Sequence, residues 1–505
     1  MEIAYFDLSG GINQASTKTE LGLNTKKIYW SDSENIEILQ NRGICKQKGN
    51  ELFLKLPEEV EITGLFEMFA NNTFKLLITT QKGDIYVYND TTKKLDKLTK
   101  TLKGEKPIFT NFLNGTIVGT ELDTPFFIDF NSHDISSCNL NDYNSNPLIA
   151  NCVTTYKGRI WFCVGSTIYY SALGRFDDFS TEKDAGYISD FHTDTANITA
   201  IKPYKDYLAI YKKDTVYLLS GSNPDNFAII PFANKGSTAQ NSIVNVENKQ
   251  YFLSNGIFAL EQVGELNQIQ LGSEISTKIK PELENLNKAN LNKTFCIHYE
   301  NKNQVWYFLP YENKNYHHIV WINDYLNKAW YKRVIPQNIT TACIFKNQVL
   351  TSDNIGNIYK EDIGNSFNGN AINFMWKSPF LSLNNVHHRK IIEEFYFILD
   401  ESFNNKFKFS VYKDYNDKEK DDLEIIYAVN LEHLIWADKN TSDNLPCHWA
   451  KDDENLPVWS ISQNTLEKAE ISEANYSIQL CVEGTEIDES CGIIGLQFRE
   501  IYNDD

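Results

Sequence analysis

Short runs in which a tight polar turn precedes β-branched and aromatic residues recur along the chain as far as residue 359. Runs of β-branched and aromatic residues bounded by polar turns predict short β-strands. The clearest units are residues 83–88, 166–170, 214–218, 255–259 and 356–359, and two weaker units are residues 125–128 and 304–307. The aromatic residue of each unit follows that of the previous unit after about 40 to 50 residues, which indicates an internal repeat.

Several of these units are preceded by a strand and a polar turn of their own, as at residues 153–162, 201–210 and 243–253. Three or four short strands in each period of about 40 to 50 residues are typical of β-propeller blades. A blade cannot bury both faces of its sheet alone, so blades stack around an axis. An ordinary β-sandwich, with turns every ~8–12 residues, is the alternative, but it gives no reason for the longer period.

The pattern changes twice along the chain. Residues 273–291 have Ile275, Ile279, Leu283 and Leu286 at helical spacing, which predicts a short helical insertion between two blades, split by Pro281. After residue 363 a linker leads into longer alternating strands.

The predicted fold is therefore all-β, a β-propeller of six or seven blades with a C-terminal β-sandwich-like domain. We expect an N-terminal arm and first strands at 1–60, blades at 61–363, and the sandwich-like domain at 366–505, which is also a candidate to return a strand to the propeller.

Composition narrows the possible partners. The chain has 67 acidic and 48 basic residues, a formal net charge of -19. Such a surface does not grip nucleic acid through many phosphate contacts, although DNA can slide past it. The nine cysteines are odd in number and lack ligand spacing, which favours free thiols in a reducing cytoplasm. The N-terminus does not resemble a signal peptide, and no apolar run reaches the ~18 residues of a membrane span.

A search for catalytic and metal-binding patterns favours a protein that is not an enzyme and has no cofactor or metal. The adjacent pairs His317-His318 and His387-His388 are expected to point to opposite faces of strands, where they ligate one metal poorly. Cys447-His448 is expected to be a loop pair.

Two further motifs carry no chemistry. Residues 414–419 begin like a calcium loop, but Lys418 occupies a ligand position and Glu419 stands where glycine is needed. Residues 352–359 echo the structural turn of sialidase propellers. A glycosidase pair among the many carboxylates stays open as an alternative, because the sequence selects no particular pair.

An ordered set of motifs gives the chain a resemblance to a known family. Residues 9–13, with 33–43 and 46–49, resemble the opening of the tail nozzle and packaged-DNA stabilisation (head-closure) proteins of short-tailed bacteriophages. Residues 156–179 are similar to the family's most recognisable segment, 235–258 to its next blade, and 376–390 with 495–498 to its C-terminal sandwich. The motif residues are Gly10, Gly11, Asn13, Tyr156, Gly158, Arg159, Ser171, Phe179, Gly236 and Trp376.

The resemblance implies a structural virion protein. It would be assembled in the host cytoplasm and would form a homo-oligomeric ring, a hexamer by resemblance, at the portal vertex beside portal-adaptor and other tail proteins. The ring would extend the DNA channel and retain packaged DNA until ejection, and an acidic lumen would let DNA pass without sequence-specific binding. The motif glycines would serve backbone geometry.

Two other functions remain open from the residues alone. A tail-associated propeller that binds or degrades glycans fits the aromatic-rich blades. A cellular propeller acting as an interaction scaffold fits the same fold.

Overall fold

The computed structural model describes most of the chain and divides it into two compact units. The described residues are 2–23, 26–191, 194–263, 268–311, 316–400, 402–403, 405–416, 418, 420–427, 435–437, 448–450 and 466–504. One unit is Lys48–Gly369, and the other combines Met1–Gln47 with Asn370–Asp505.

The first unit is a β-propeller, as predicted, and its first five blades are separate four-stranded antiparallel sheets. Blade 1 comprises Ile62–Ala70, Thr73–Thr80, Ile85–Asn89 and Lys94–Lys97. Blade 2 comprises Ile108–Phe112, Gly115–Gly119, Phe126–Asp129 and Ile135–Ser137. Blade 3 comprises Cys152–Tyr156, Arg159–Val164, Thr167–Tyr170 and Gly186–Ile188. Blade 4 comprises Ile198–Tyr204, Tyr207–Lys212, Val216–Ser220 and Ala228–Ala233, and blade 5 comprises Val244–Val246, Lys249–Leu253, Ile257–Val263 and Gln268–Leu271.

Blades 6 and 7 share one continuous sheet because a single 17-residue strand, Ala329–Phe345, belongs to both. Its first part pairs with His317–Asp324 and its last part with Gln348–Asp353, with register shifts near Ile339. Blade 6 comprises Phe295–Tyr299, Gln304–Phe308, His317–Asp324 and the first part of this strand. Blade 7 comprises the last part, Gln348–Asp353, Asn357–Glu361 and Asn50–Lys55, beyond which lies the short strand Ser366–Phe367. The described residues thus form seven blades.

The blades close into a ring through their first strands. These strands contact one another in chain order, with the turn Gln240–Ser242 between blades 4 and 5, and the strand shared by blades 6 and 7 contacts the first strand of blade 1. Apolar side chains from neighbouring sheets fill the spaces between blades; Ile62, Leu65, Phe345 and Leu350, for example, join blade 7 to blade 1. Burial of this apolar surface holds the ring together.

The strand that completes blade 7 corrects the predicted domain boundary. The sequence predicts an N-terminal arm and first strands at 1–60, outside the blades. Within that range Asn50–Lys55 belongs to the propeller, because it pairs antiparallel with Asn357–Glu361, with Asn50 opposite Glu361 and Leu54 opposite Ile358. An unpaired outer strand would expose a row of backbone donors and acceptors. The chain ahead of blade 1 supplies this strand, and the short strand Ser366–Phe367, from the range predicted for the C-terminal domain, pairs with it in parallel.

The repeat itself is placed well by the sequence, with one exception. Tyr86, Phe127, Tyr169, Tyr217, Phe258 and Tyr359 all lie in the third strand of their blades, but Trp306 lies in the second strand of blade 6. The predicted helical insertion at 273–291 is broken into three pieces, the 3₁₀ turn Thr277–Ile279, the α-helical turn Lys280–Glu284 and the 3₁₀ segment Lys288–Lys293. Pro281 stands in the first turn of the α-helical piece, where its missing N–H is not needed.

The second unit contains two packed sheets. One sheet has the order Ile36–Ile38, Ile44–Lys46, Gly492–Asp504, Arg389–Leu399 and Leu466–Asn475, with Ile3–Tyr5 also paired to Gly492–Asp504. The other has the order Asp32–Glu34, Phe374–Lys377, Ile478–Gly484, Lys406–Lys413 and Lys420–Tyr427. Phe395 and Phe397 of the first sheet meet Phe409 of the second, with ring centroids 5.6 and 4.9 Å apart. This sandwich therefore takes strands from both ends of the chain, whereas the sequence predicted it from 366–505 alone.

The shorter elements complete the description. Further strands are Asn370–Ala371, Ile435–Ala437 and His448–Ala450, the remaining α-helical turn is Lys18–Gly22, and the remaining 3₁₀ turns are Pro224–Asn226, Gln240–Ser242 and Glu300–Lys302. Among the described residues, no helix has the length and apolar character needed to cross a bilayer.

Candidate docking groove and the motif residues

The motif residues near the N-terminus fix the local backbone. A Cβ at Gly10 would lie 2.3 Å from the carbonyl oxygen of Ile28, so only glycine fits there. Gly11 has a φ of 66°, in the left-handed region that glycine tolerates. The side-chain oxygen of Asn13 accepts hydrogen bonds of 3.2 Å from the amides of Ala15 and Ser16. These three residues shape a turn and present no reactive group.

The blade 3 motif is built around a buried guanidinium. Arg159 donates to the carbonyl of Ser171 at 2.8 Å and to the carboxylate of Asp184 at 2.6 Å. The hydroxyl of Ser171 in turn accepts from the amide of Ile160 at 3.0 Å. Arg159 also holds the pKa of Asp184 below its usual range. The network ties the second strand of the blade to the segments that follow its third strand.

The other motif residues of the propeller are also architectural. The hydroxyl of Tyr156 donates to the carbonyl of Asp206 in the next blade at 2.5 Å. Gly158 has a φ of +71°, and the ring of Phe179 packs 5.5 Å from that of Phe162. A Cβ at Gly236 would lie 1.9 Å from the carbonyl oxygen of Lys212.

Trp376, in the second unit, is fully buried. The ten motif residues thus converge on no single reactive site, and each holds a turn, a buried network or a packed ring.

Several other sequence candidates are structural as well. The rings of His317 and His318 hydrogen-bond to different carbonyl groups, those of Leu309 and Ile335. This is expected for neighbours on opposite faces of a strand. His387 and His388 precede the strand Arg389–Leu399, so the expectation that they lie in a strand is wrong.

The turn that echoes sialidase propellers is organised by one buried carboxylate. Asp353 accepts from the amides of Ile355 and Asn357, at 3.0 and 2.8 Å, and from the hydroxyl of Tyr359 at 2.9 Å. These contacts use the carboxylate to hold the turn together.

The remaining candidates are only partly described. Cys447, Asp417 and Glu419 lie outside the described residues. No disulfide joins any two of the eight described cysteines, and the described residues contain no group of three His, Cys, Asp or Glu side chains placed to hold a metal ion.

A groove of about 800 Å³ lies between blades 4 and 5 and the helical insertion, a size typical of ligand sites. One wall is the 213–214 turn of blade 4 with residues 234–238, and a second wall is the 253–258 turn of blade 5. The third wall is formed by parts of residues 274–291. Leu253, Phe258, Leu283, Leu286 and Leu291 supply its apolar surface.

Hydrogen bonds fix the helical insertion in place as a wall. The amide of Ile275 donates to the carbonyl of Ile257 at 2.9 Å, and the indole N–H of Trp330 donates to the carbonyl of Ile275 at 3.0 Å. Further along, the amide of Asn287 donates to the carbonyl of Pro310 at 3.0 Å. This wall of the groove is therefore anchored to the neighbouring blade 5 and to residues of blade 6 and the segment that follows its second strand.

Four ammonium groups line the groove, against three carboxylates. The lysines are Lys213, Lys235, Lys280 and Lys288, and the acids are Asp214, Glu274 and Glu284. Lys235 lies 5.1 Å above the ring of Phe258 and donates to the side-chain oxygen of Asn255 at 3.3 Å. The side-chain ammonium groups of Lys213, Lys280 and Lys288 form no hydrogen bond or ion pair with any residue that the structure describes. In a chain of net charge -19, this surface is locally basic and partly apolar.

Sequence reasoning missed the groove. Its lysines come from three segments separated by up to 75 positions between Lys213 and Lys288, and no local pattern joins them. The only available signals were the glycine turns Lys235-Gly236 and Asn255-Gly256 beside the predicted helical insertion, and they indicated architecture alone.

The innermost strands, which surround the axis of the propeller, carry fewer charged residues than the groove. They carry one carboxylate, Glu67, and one lysine, Lys202, among their described residues. Burial raises the pKa of Glu67 and lowers the pKa of Lys202. Burial also raises the pKa of the Cys296 thiol to about 12, which disfavours the reactive thiolate. An acidic lumen is therefore not present along these strands.

No protein-family model matches the chain, and no curated protein matches it. Solved structures that resemble part of it include YCF48 bound to a D1 peptide, with 12% identity and a TM-score of 0.41 over 65% of this chain and 98% of that one. The computationally designed Ika8 protein has 13% identity and a TM-score of 0.36 over 62% and 100%. A chain of the mitotic checkpoint complex has 10% identity and a TM-score of 0.41 over 63% and 92%.

Proposed function

We propose that the chain is a non-enzymatic structural virion protein, a tail nozzle or head-closure protein that forms a ring at the portal vertex of a short-tailed bacteriophage. The ring extends the DNA channel and retains packaged DNA until ejection. The observation that carries the proposal is the nature of the motif residues. Gly10, Arg159 and Gly236, among others, hold the architecture, so the resemblance in sequence follows the framework of the molecule.

The charge distribution supports a particular form of this proposal. The innermost strands of the propeller carry little charge, while the chain as a whole carries -19. The lumen that repels DNA phosphate is then the one enclosed by several subunits, and the axis of a single propeller plays no part in DNA passage. Summing the charge over a ring gives a strongly negative surface past which DNA moves without being retained.

Electron microscopy of purified virions tests the proposal. Antibody against this chain should label the portal vertex, and the chain should be present in several copies for each particle. Absence of the chain from virions, or label distributed over the capsid, would refute it.

A second candidate, a tail-associated glycan-binding propeller, is favoured by one observation. Tyr187 of blade 3 is 64% exposed, and its ring lies 5.7 Å from that of Tyr169. Exposed aromatic rings offer flat apolar surfaces that suit sugar rings. Binding of host polysaccharide that is lost in Tyr187→Ala would support this candidate, whereas an unaffected profile on glycan arrays would exclude this surface.

A further inference from the structure

The groove between blades 4 and 5 combines unpaired ammonium groups with apolar surface, and such a site suits an acidic segment that carries an aliphatic side chain. We propose that the groove is a docking site for the turn Gly484–Glu489 of a second copy of this chain. The proposal rests on the ring-forming function above and identifies the surfaces that join neighbouring subunits.

The groove has an excess of positive charge, with four lysines against the carboxylates Asp214, Glu274 and Glu284. Lys213, Lys280 and Lys288 are exposed and have no partner among the described residues. Binding an acidic segment would therefore add ion pairs without breaking existing ones. Leu283 and Leu291 are half-buried between these lysines, so an aliphatic side chain placed there would lose apolar contact with water.

The turn offers the complementary chemistry. Ile487 is 53% exposed, and the side chains of its neighbours Glu486 and Asp488 are 66% and 63% exposed. Lys406 pairs with Asp488 at 2.6 Å and approaches Glu486 at 3.7 Å. Because this single ammonium group faces both carboxylates, the segment remains acidic overall.

The turn is also pre-organised. The buried carboxylate of Glu489 accepts hydrogen bonds from the amides of Thr485 at 2.5 Å and Glu486 at 3.0 Å. The carbonyl of Glu489 accepts from the ammonium of Lys46 at 2.6 Å. A turn held in this way loses little conformational entropy when it binds.

Among the described exposed hydrophobic residues, only Leu122 shares this position between two acids. The carboxylate of Glu121 is already occupied by the amides of Glu105 and Lys106, at 2.9 and 2.8 Å. The side chain of Asp123 is only 14% exposed. The acids that flank Leu122 are therefore less available for binding a lysine than those that flank Ile487.

A ring requires two different surfaces on each subunit, because head-to-tail contacts close only when one patch binds another. A groove with an excess of lysine and an exposed acidic turn satisfy this requirement, whereas two acidic copies would otherwise repel. Attraction between opposite charges also predicts that assembly weakens as salt concentration rises.

Sedimentation velocity of the full-length chain tests the proposal through charge reversal. The groove variant carries Lys213→Glu, Lys280→Glu and Lys288→Glu, and the turn variant carries Glu486→Lys and Asp488→Lys. Each variant alone should raise the dissociation constant of self-association at least tenfold. An equimolar mixture should recover assembly, because each reversed surface then meets a reversed partner.

Matched controls separate docking from folding and from general charge effects. Lys157→Glu, Lys183→Glu and Lys328→Glu change the charge equally at exposed positions outside the groove and should leave association within twofold of the wild type. Ile487→Asp keeps the ion pairs of the turn and should also weaken association, with an unchanged thermal midpoint.

The outcomes distinguish the two proposals. Rings that persist in the groove and turn variants would overturn this inference and leave the structural virion function standing. A wild-type chain that stays monomeric at high concentration and low salt would overturn both. Weakening by a single variant without recovery in the mixture would show that the groove and this turn do not bind each other, and would also overturn the inference.

Discussion

The guanidinium of Arg333 lies 2.6 Å from the carboxylate of Glu361, and both side chains are excluded from solvent. Arg333 also donates to the carbonyls of Lys48 and Gly49, at 2.6 and 3.0 Å, while Glu361 accepts from the side-chain amide of Asn50 at 3.0 Å. The pair therefore connects the strand shared by blades 6 and 7 to the segment that completes blade 7. A buried ion pair with additional hydrogen bonds is costly to break on one side only.

We predict that Arg333→Met lowers the free energy of unfolding by about 3–5 kcal/mol, because it leaves Glu361 buried and uncompensated. Urea denaturation followed by far-UV circular dichroism measures the change. The matched control is Arg175→Met, which removes an exposed arginine paired with Asp177 and should cost less than about 1 kcal/mol. Equal effects of the two substitutions would contradict the role given to Arg333.

We predict that Gly236→Ala destabilises the fold by about 1–3 kcal/mol, since its Cβ would overlap the carbonyl of Lys212 and force the backbone apart. Gly119→Ala is the control, because the atom nearest to the added Cβ is a side-chain carbon of Ile108, 3.4 Å away. Thermal unfolding of both variants gives the comparison. A midpoint for Gly236→Ala equal to that of the control would show that the motif glycine has no packing role.

Burial lowers the pKa of His317 to about 4, against an ordinary value of 6.5, so the imidazole is neutral in the folded protein. The unfolded chain binds a proton below pH 6.5 while the folded chain resists it until about pH 4. The stability contributed by the neutral ring is therefore complete above pH 6.5 and falls as the pH drops toward 4, by up to about 3 kcal/mol.

The variant His317→Phe keeps an aromatic ring beside Phe295, 4.9 Å away in the native protein, but cannot titrate. Denaturant unfolding at several pH values between 4 and 6.5 should give a shallower loss of stability for the variant than for the wild type. His317→Gln should show the same shallower slope. If stability falls equally steeply with pH in all three proteins, the loss of stability between pH 6.5 and 4 does not come from His317.

The propeller could be predicted from the sequence because each blade repeats a turn and a strand that ends in an aromatic residue. Tyr86, Tyr169 and Tyr217 occupy equivalent third strands for this reason. The strand Asn50–Lys55 could not be predicted in the same way, because its partner Asn357–Glu361 lies about 300 residues further along the chain and leaves no local pattern.

The same limit applies to the second unit and to the groove. The short strands Ile3–Tyr5 and Ile44–Lys46 are defined by pairing with Gly492–Asp504 at the other end of the chain. The groove depends on lysines that only the stacking of blades 4 and 5 brings together. Periodicity reports the face that a residue presents to its own sheet, and it contains no information about which distant segments meet.

A cryo-electron microscopy reconstruction of the portal vertex of the intact virion tests the central claim most directly. The account predicts a ring of seven-bladed propellers around the DNA channel, each fitted by residues 48–369, with density for the outer strand Asn50–Lys55 in blade 7. A portal vertex whose ring densities accommodate no seven-bladed propeller would contradict it.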